Sequence, residues 1–251
     1  MNSEVLLWEK YGPLFSFEER MIYPPDTEEI LFYRNFRKKH PGECMEIGAG
    51  DGRLTGYLYD GSQVIALEPS SAMLNLWPPG MPAVSPIRAI AQQIPLKKSS
   101  LSLVLFPYNG IHCILDRDDR KHVFREIAAV LKPGGKVLFE SCPGFNVRED
   151  EHGKERYDYD AGSTSLRLVE SVNHDSERGL IVFDMEYSGS VTAGNKIEIR
   201  LELALISAAE LLQDIVSEGM NIVTVWGDYD LSPWDEDSSP RLLVVAERNE
   251  I

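Results

Sequence analysis

At 251 residues, 43% of them hydrophobic and 26% charged, the chain has the composition of one large globular domain, or of a domain with a substantial insertion, and not of a disordered protein. Its formal net charge of −15 argues against nucleic acid and anionic membranes as partners, and its longest basic run is Arg37-Lys38-Lys39. Cys44, Cys113 and Cys142, with no C-x-x-C pair, point to neither a disulfide framework nor a metal site; with no signal pattern and no apolar stretch approaching about 18 residues, a cytoplasmic protein is expected.

The first forty residues read as helix. Asp26 and Glu29 form a capping box, Ile30, Leu31 and Phe36 give an apolar face, and Pro41-Gly42 ends the segment. A strand–turn–helix unit follows: Cys44-Met45-Glu46-Ile47, then Gly48-Ala49-Gly50-Asp51-Gly52, then a helix over 53–59. Val64-Ile65-Ala66-Leu67 is a second strand closed by Glu68, and 71–77 is a helix stopped by Pro78-Pro79-Gly80. A third strand falls within 84–90 and a fourth at 103–106. Asp116 caps a helix whose face is Val123, Ile127, Val130 and Leu131; Lys132-Pro133-Gly134-Gly135 stops it, and 136–141 is a fifth strand. Continuous apolar strands alternating with helices predict a parallel sheet covered on both faces.

After Pro143 the pattern changes. Residues 146–160 are charged and read as irregular. Three strands follow at 165–172, 180–187 and 196–205. The last alternates Ile197, Ile199, Leu201, Leu203 and Leu205 with Glu198, Arg200 and Glu202, as a strand with one wet face does. Ser207 and Glu210 then form a capping box for a helix with face Leu211, Leu212, Ile215 and Val216, stopped by Gly219, and strands at 222–226 and 242–246 close the chain. The expected fold is α/β: a doubly wound seven-stranded sheet from residues 41–144 and 206–251, a helical cap over 1–40, and an inserted antiparallel β-meander over 145–205 acting as lid or substrate platform.

Between the first strand and its helix stands Glu46-x-Gly48-x-Gly50-x-Gly52. Glycines serve where the backbone turns tightly and a ligand comes too close for a Cβ, and the helix N-terminus beyond offers free N–H groups. A plain glycine turn would look the same. A dinucleotide fingerprint, G-x-G-x-x-G, would want its third glycine at Arg53; here it comes one residue early, at Gly52. Glu68 ends the second strand about twenty residues on, where a carboxylate can take both ribose hydroxyls of an adenosine.

These residues resemble the class I S-adenosylmethionine-dependent methyltransferases, whose sheet is Rossmann-like. The resemblance covers 40–142, and 207–247 by topology. It likens Glu46–Gly52 to the family's first motif, Glu68 to its ribose-binding acid, and Leu131-Lys-Pro-Gly-Gly135 to its turn before the fifth strand. It implies S-adenosylmethionine as cofactor, held by Glu46, Gly48, Ala49, Gly50 and Gly52, by Glu68 with Pro69 and Met73, and by Phe106. Ala91-Gln-Gln-Ile-Pro95 resembles the loop that contacts adenine; Ile90 stands where that loop commonly has an acid, leaving the contact to Ala91 or Gln92. Among Tyr11, Tyr23 and Tyr33 of the cap, Tyr33 is expected at the pocket.

The fourth strand exits through Phe106-Pro107-Tyr108-Asn109-Gly110-Ile111-His112, at the sheet edge where open α/β folds place substrate. The segment is similar to that of small-molecule methyltransferases. His112 is the candidate general base, with Tyr108 and Asn109 shaping the pocket. Its alternative is a histidine that only packs over the cofactor. Trp226-Gly227-Asp228-Tyr229-Asp230, with Trp234 and Asp235-Glu236-Asp237, makes an acidic aromatic lip suited to a cationic acceptor. The expectation is methyl transfer to the amine or hydroxyl of a small molecule, by a monomer or homodimer without metal. The alternatives are a protein-directed methyltransferase, a cofactor-binding protein without transfer activity and, on the glycine motif alone, a nicotinamide oxidoreductase.

Overall fold

The computed structural model describes residues 3–22, 27–81, 84–146 and 148–249. Tyr23, and Asp26 of the expected capping box, lie outside the described residues. The core sheet is built from β1 (Cys44–Ile47), β2 (Val64–Leu67), β3 (Val84–Ile87), β4 (Leu101–Phe106), β5 (Leu131–Ser141), β10 (Met220–Trp226) and β11 (Leu242–Arg248). Their order is β10-β11-β5-β4-β1-β2-β3. The first five run parallel, and β11 lies antiparallel to both β5 and β10. Every residue of β1 is buried, as a strand between two covered faces must be.

The topology fixes where a ligand can sit. From β1 the chain moves outward to β2 and β3, then crosses back to β4 on the other side of β1. Loops leaving the carboxyl ends of β1 and β4 therefore diverge and leave a crevice, the switch point of an open α/β sheet.

The covering helices are α3 (Thr55–Leu58) and α4 (Ser71–Leu74), each a single turn and shorter than expected, with α5 (Arg117–Val130) and α6 (Ala208–Ser217). Asp116 caps α5 by accepting from the backbone N–H of Asp118 and Asp119. Leu131, expected on the helix face, has already left the helix and pairs with Leu101 as the first residue of β5; the ladder resumes at Leu103 and Lys136 after a bulge. Ser207 Oγ caps α6 by accepting from Glu210 N at 3.1 Å, but the Glu210 carboxylate turns to Arg120 at 2.7 Å rather than closing the box. Asp214 is the buried polar member of α6, held by Arg117 at 2.8 Å, and Val216, expected in the apolar face, is left 54% exposed.

The insertion is a four-stranded antiparallel sheet, β6 (Glu151–Asp160), β7 (Ser165–Asp175), β8 (Leu180–Ser188) and β9 (Ile197–Ala204), in that spatial order. Residues 151–160, expected to be irregular, are its edge strand. Charge hid it: Arg156 pairs across to Glu170 at 2.7 Å, and a charged edge resists pairing with other chains. The N-terminal α1 (Ser3–Phe17) continues through a π-turn at Glu18–Ile22 and leads to α2 (Thr27–Lys39). Leu31 is exposed on α2; Phe32, Tyr33 and Phe36 carry its buried face. α1 packs Tyr11 and Leu14 against the apolar face of the inserted sheet. On its other side Glu9 accepts from the N–H groups of Ser71 and Ala72 at 2.8 and 3.0 Å. Gly12 permits that approach, since a Cβ there would lie 2.6 Å from Met73 Sδ.

Candidate active site

At the switch point lies a cavity of about 270 Å³, walled by the ends of β1, β2 and β4 and roofed by α1 and β9. The turn after β1 is stitched to β2 by Gly48 N and Ala49 N, which donate to the Leu67 carbonyl at 2.8 and 3.1 Å. Gly50 has φ +57°, and a Cβ on it would stand 3.0 Å from Met73 Cε in the cavity wall. Glu68 is 5% exposed and lines the cavity; its two oxygens accept from Gly50 N at 2.9 Å and Ser70 N at 2.8 Å. Burial pushes its carboxyl up to about 7.

A smaller recess of about 60 Å³ adjoins it and is lined by charge: Glu46, Asp51, Arg53 and Glu19, with Ser16 and Tyr108. Glu46 accepts from Thr55 Oγ1 at 2.5 Å, and burial raises its carboxyl to about 8. Asp51 is held by Ser16 Oγ at 2.5 Å and Arg20 Nε at 2.6 Å, both from the α1 segment. Arg53 forks onto Glu29 at 2.7 Å through each of two nitrogens and lies 5.1 Å over the Tyr108 ring. Tyr108 Oη donates to Glu19 at 2.7 Å.

Of the residues named from sequence, Gly48, Gly50, Glu68, Pro69, Met73, Ala91, Gln92, Phe106, Tyr108 and Asn109 line the main cavity. Glu46 and Ala49 line the recess. Three line neither. Gly52 packs under Trp77, whose Nε1 donates to the Gly50 carbonyl at 2.7 Å. Tyr33 is fully buried and donates to Glu140 at 2.5 Å, a carboxylate that also accepts from Tyr108 N and Tyr229 Oη. Tyr229, from the expected lip, thus braces the loop after β4 from behind, and the lip's Trp226 and Trp234 do not line the cavity.

His112 is the third. It is 0% exposed, with Nδ1 2.7 Å from the Ala204 carbonyl and Nε2 2.8 Å from Ser141 Oγ; Cys142 N also donates to Nε2 at 3.4 Å. One tautomer satisfies all three contacts: Nδ1–H donates and Nε2 accepts. Burial lowers its pKa to about 4, so the ring is neutral at pH 7 and ties the end of β9 to the end of β5.

Sequence reasoning missed the roof. Trp8 and Phe15 line the cavity from α1, spaced two helical turns apart, and Leu201 and Leu203 line it from β9. The alternation of β9 was visible in the sequence, but nothing local said which surface it would cover.

Glu18 is a further buried carboxyl, accepting from Tyr157 Oη at 2.6 Å and Tyr187 Oη at 3.0 Å and raised to about 7 by burial. Glu18, Glu46 and Glu68 all hold their protons more tightly in the folded chain than at the ordinary value of 4.5. Through these three groups the folded state binds more protons than the unfolded one from pH 4.5 to about 8, and their contribution to stability falls as pH rises through that window. His112 acts oppositely, but only on acidification below its ordinary 6.5. The thermal midpoint is expected to be lower at about pH 8.5 than at about pH 6.5 at constant ionic strength; an equal or higher midpoint would show that these carboxyls are not raised.

The methyltransferase domain family matches this chain over residues 44–135. That span holds the glycine turn, Glu68 and the loop after β4. Over that span the chain resembles a methyltransferase domain. An uncharacterized methyltransferase of Mycobacterium bovis is 30% identical over 135 residues, 53% of this chain and 50% of the relative. The chain thus matches about half the length of its curated relatives. Among solved structures, the CcbJ methyltransferase from Streptomyces caelestis superposes with a TM-score of 0.79 at 20% identity, covering 99% of this chain and 100% of that one. A sugar N-methyltransferase from Streptoalloteichus gives 0.76 at 16% identity, covering 94% and 92%. At these identities the likeness is one of fold, and it extends through the inserted sheet.

The cavity fits the family's methyl donor, S-adenosylmethionine. Among the described residues lining it there is no Lys or Arg to meet a pyrophosphate, and Glu68 is the only carboxylate. That wall suits an adenosine on a sulfonium better than a dinucleotide. No described helix is long and apolar enough to cross a membrane.

Proposed function

We propose that the protein transfers a methyl group from S-adenosylmethionine to a small molecule. The observation that carries this reading is the cavity of about 270 Å³ at the switch point, with Glu68 in its wall and α1 and β9 partly covering it. A peptide or RNA would need a longer groove. The donor supplies an electrophilic methyl on a sulfonium.

In this reading Glu68 accepts from the ribose hydroxyls, Ala91 and Gln92 flank the adenine, and the charged recess beside Arg53 and Glu46 takes the amino-acid end. α1 and β9 exclude water, and the strapped loop 106–110 aligns the acceptor. Alignment alone is worth roughly 7–11 kcal/mol, so a strong base is not required. His112 is a neutral brace for the loop and for β9.

Calorimetric titration with S-adenosylhomocysteine, with NAD as control, tests the reading. Micromolar binding of the first and none of the second is expected; the reverse would move the protein to the oxidoreductases.

A further inference from the structure

The loop after β4 reverses at a pair of residues with an unfavourable backbone. Gly110 N donates to the Pro107 carbonyl at 3.3 Å, and the two residues between them, Tyr108 and Asn109, have φ of 54° and 62°. Turns with two consecutive left-handed residues favour glycine, asparagine and aspartate. Asn109 suits such a turn and Tyr108 does not. A bulky residue keeps this conformation only where its surroundings impose it.

Glu140 imposes it. The side chain, 3% exposed near the end of β5, accepts from Tyr108 N at 3.2 Å and Tyr33 Oη at 2.5 Å on one oxygen. Its other oxygen accepts from Tyr229 Oη at 2.9 Å and lies 3.8 Å from Arg241 Nε. A buried carboxylate is costly unless its lone pairs are used, so each of these donors is drawn to it. Tyr33 comes from α2 and Tyr229 from the loop after β10, which fix the carboxylate from two sides. The Tyr108 amide is then brought to a fixed point, and the far end of the same residue is held where Oη donates to Glu19 at 2.7 Å.

The turn stands where the two halves of the donor would meet. Phe15, Gly48, Gly50, Met73, Pro107 and Tyr108 line both the main cavity and the charged recess. In the proposed function the ribose lies in the first and the amino-acid end in the second. S-adenosylmethionine joins those halves through its sulfonium, so the sulfur and its methyl pass between these residues. A displacement of about 1 Å there is enough to spoil an in-line transfer.

We infer that Glu140 is a positioning residue, whose carboxylate holds Tyr108 from behind against the methyl-bearing sulfur. This rests on the methyltransferase reading and adds to it a residue that lines neither the cavity nor the recess. Reach, more than charge, does the holding. Glu140→Gln keeps the length: its oxygen can accept from Tyr33 and Tyr108 N, and its NH2 can donate to Tyr229 Oη, since a phenol oxygen also accepts. Glu140→Asp keeps the charge but is one methylene short of Tyr108 N.

The test is calorimetric titration of the full chain with two donor analogues. S-adenosylhomocysteine lacks the methyl; sinefungin carries CH–NH2 in place of S–CH3 and so fills the methyl's place. In Glu140→Asp, sinefungin is expected to lose about ten-fold more affinity than S-adenosylhomocysteine. In Glu140→Gln, and in Tyr33→Phe, which loosens the network but leaves the tie to Tyr108, the ratio of the two affinities should stay within about three-fold of wild type. A purely structural role would lower both affinities together. A ratio change below about three-fold in Glu140→Asp, or above it in either other variant, overturns the assignment alone. Amide exchange in the wild-type protein needs no substitution and decides the matter should Glu140→Asp not fold. The Tyr108 N–H is expected to exchange at least about thirty-fold more slowly than a free amide, and faster exchange overturns the tie. Failure of wild-type protein to bind S-adenosylhomocysteine overturns the methyltransferase reading with it.

Discussion

Glu68→Ala is expected to weaken S-adenosylhomocysteine binding by about 1.5–3 kcal/mol, roughly ten- to a hundred-and-fifty-fold, while the chain stays folded. The substitution removes a charged acceptor from a nearly buried position, where water replaces the lost bonds poorly. It also frees Gly50 N and Ser70 N, which Glu68 holds at 2.9 and 2.8 Å, so part of the loss comes from a looser turn. Glu68→Gln separates the two effects. An amide keeps the size but sets an NH2 group against one of those backbone donors, and it accepts from the ribose without charge. Calorimetry on both variants, with circular dichroism to verify folding, decides it. A change below about three-fold for Glu68→Ala would remove Glu68 from the cofactor site. The pH dependence is a second signature. The carboxyl sits at about 7 in the free protein, and ribose hydroxyls donate best to its ionised form. Affinity is therefore expected to tighten as pH rises through 7 and to lose that slope in Glu68→Gln.

His112→Ala is expected to destabilise the fold by about 2–4 kcal/mol and leave S-adenosylhomocysteine affinity intact. The ring is fully buried, and its removal opens a cavity and strands the Ala204 carbonyl and Ser141 Oγ. In a chain of this size the thermal midpoint should drop on the order of 5–15 °C. Turnover well below that midpoint should stay within a few-fold of wild type. The opposite pattern, an unchanged midpoint with kcat down a hundred-fold or more, would restore His112 as the base. The ring's low pKa of about 4 gives a further check. The unfolded chain takes up the proton near 6.5 and the folded chain does not, so this group's contribution to wild-type stability falls on acidification from 6.5 toward 4. His112→Ala should lose that contribution.

How far the sequence could be read varied with the range of the forces involved. The apolar runs of β1, β2 and β4 and the caps at Asp116 and Ser207 are local signals, and they appear where expected. The glycine turn and Glu68 were legible for the same reason: a tight turn and a strand-end acid are each determined within a few residues. Edge strand β6 was not, because its charges are satisfied only by a neighbour, Glu170, that sequence order does not place. The face of α6 was misread at Val216 because Asp214 is buried against Arg117 of another helix. His112 shows the limit most clearly. Chain position put it on the loop after β4, at the edge where chemistry is done, and side-chain type made it a base. Which way its ring turned depended on Ala204 and Ser141, 92 and 29 residues away.

The sequence by itself determined the doubly wound sheet, the switch-point crevice, and the glycine turn and Glu68 that border it, since period, turn chemistry and strand-end residues are properties of short segments. Tertiary structure alone decided the roof from α1 and β9 and the neutral brace at His112. Each of these depends on side chains far apart in the chain meeting in a space from which water is excluded. There, burial and hydrogen-bond partners, rather than residue type, fix what a group can do.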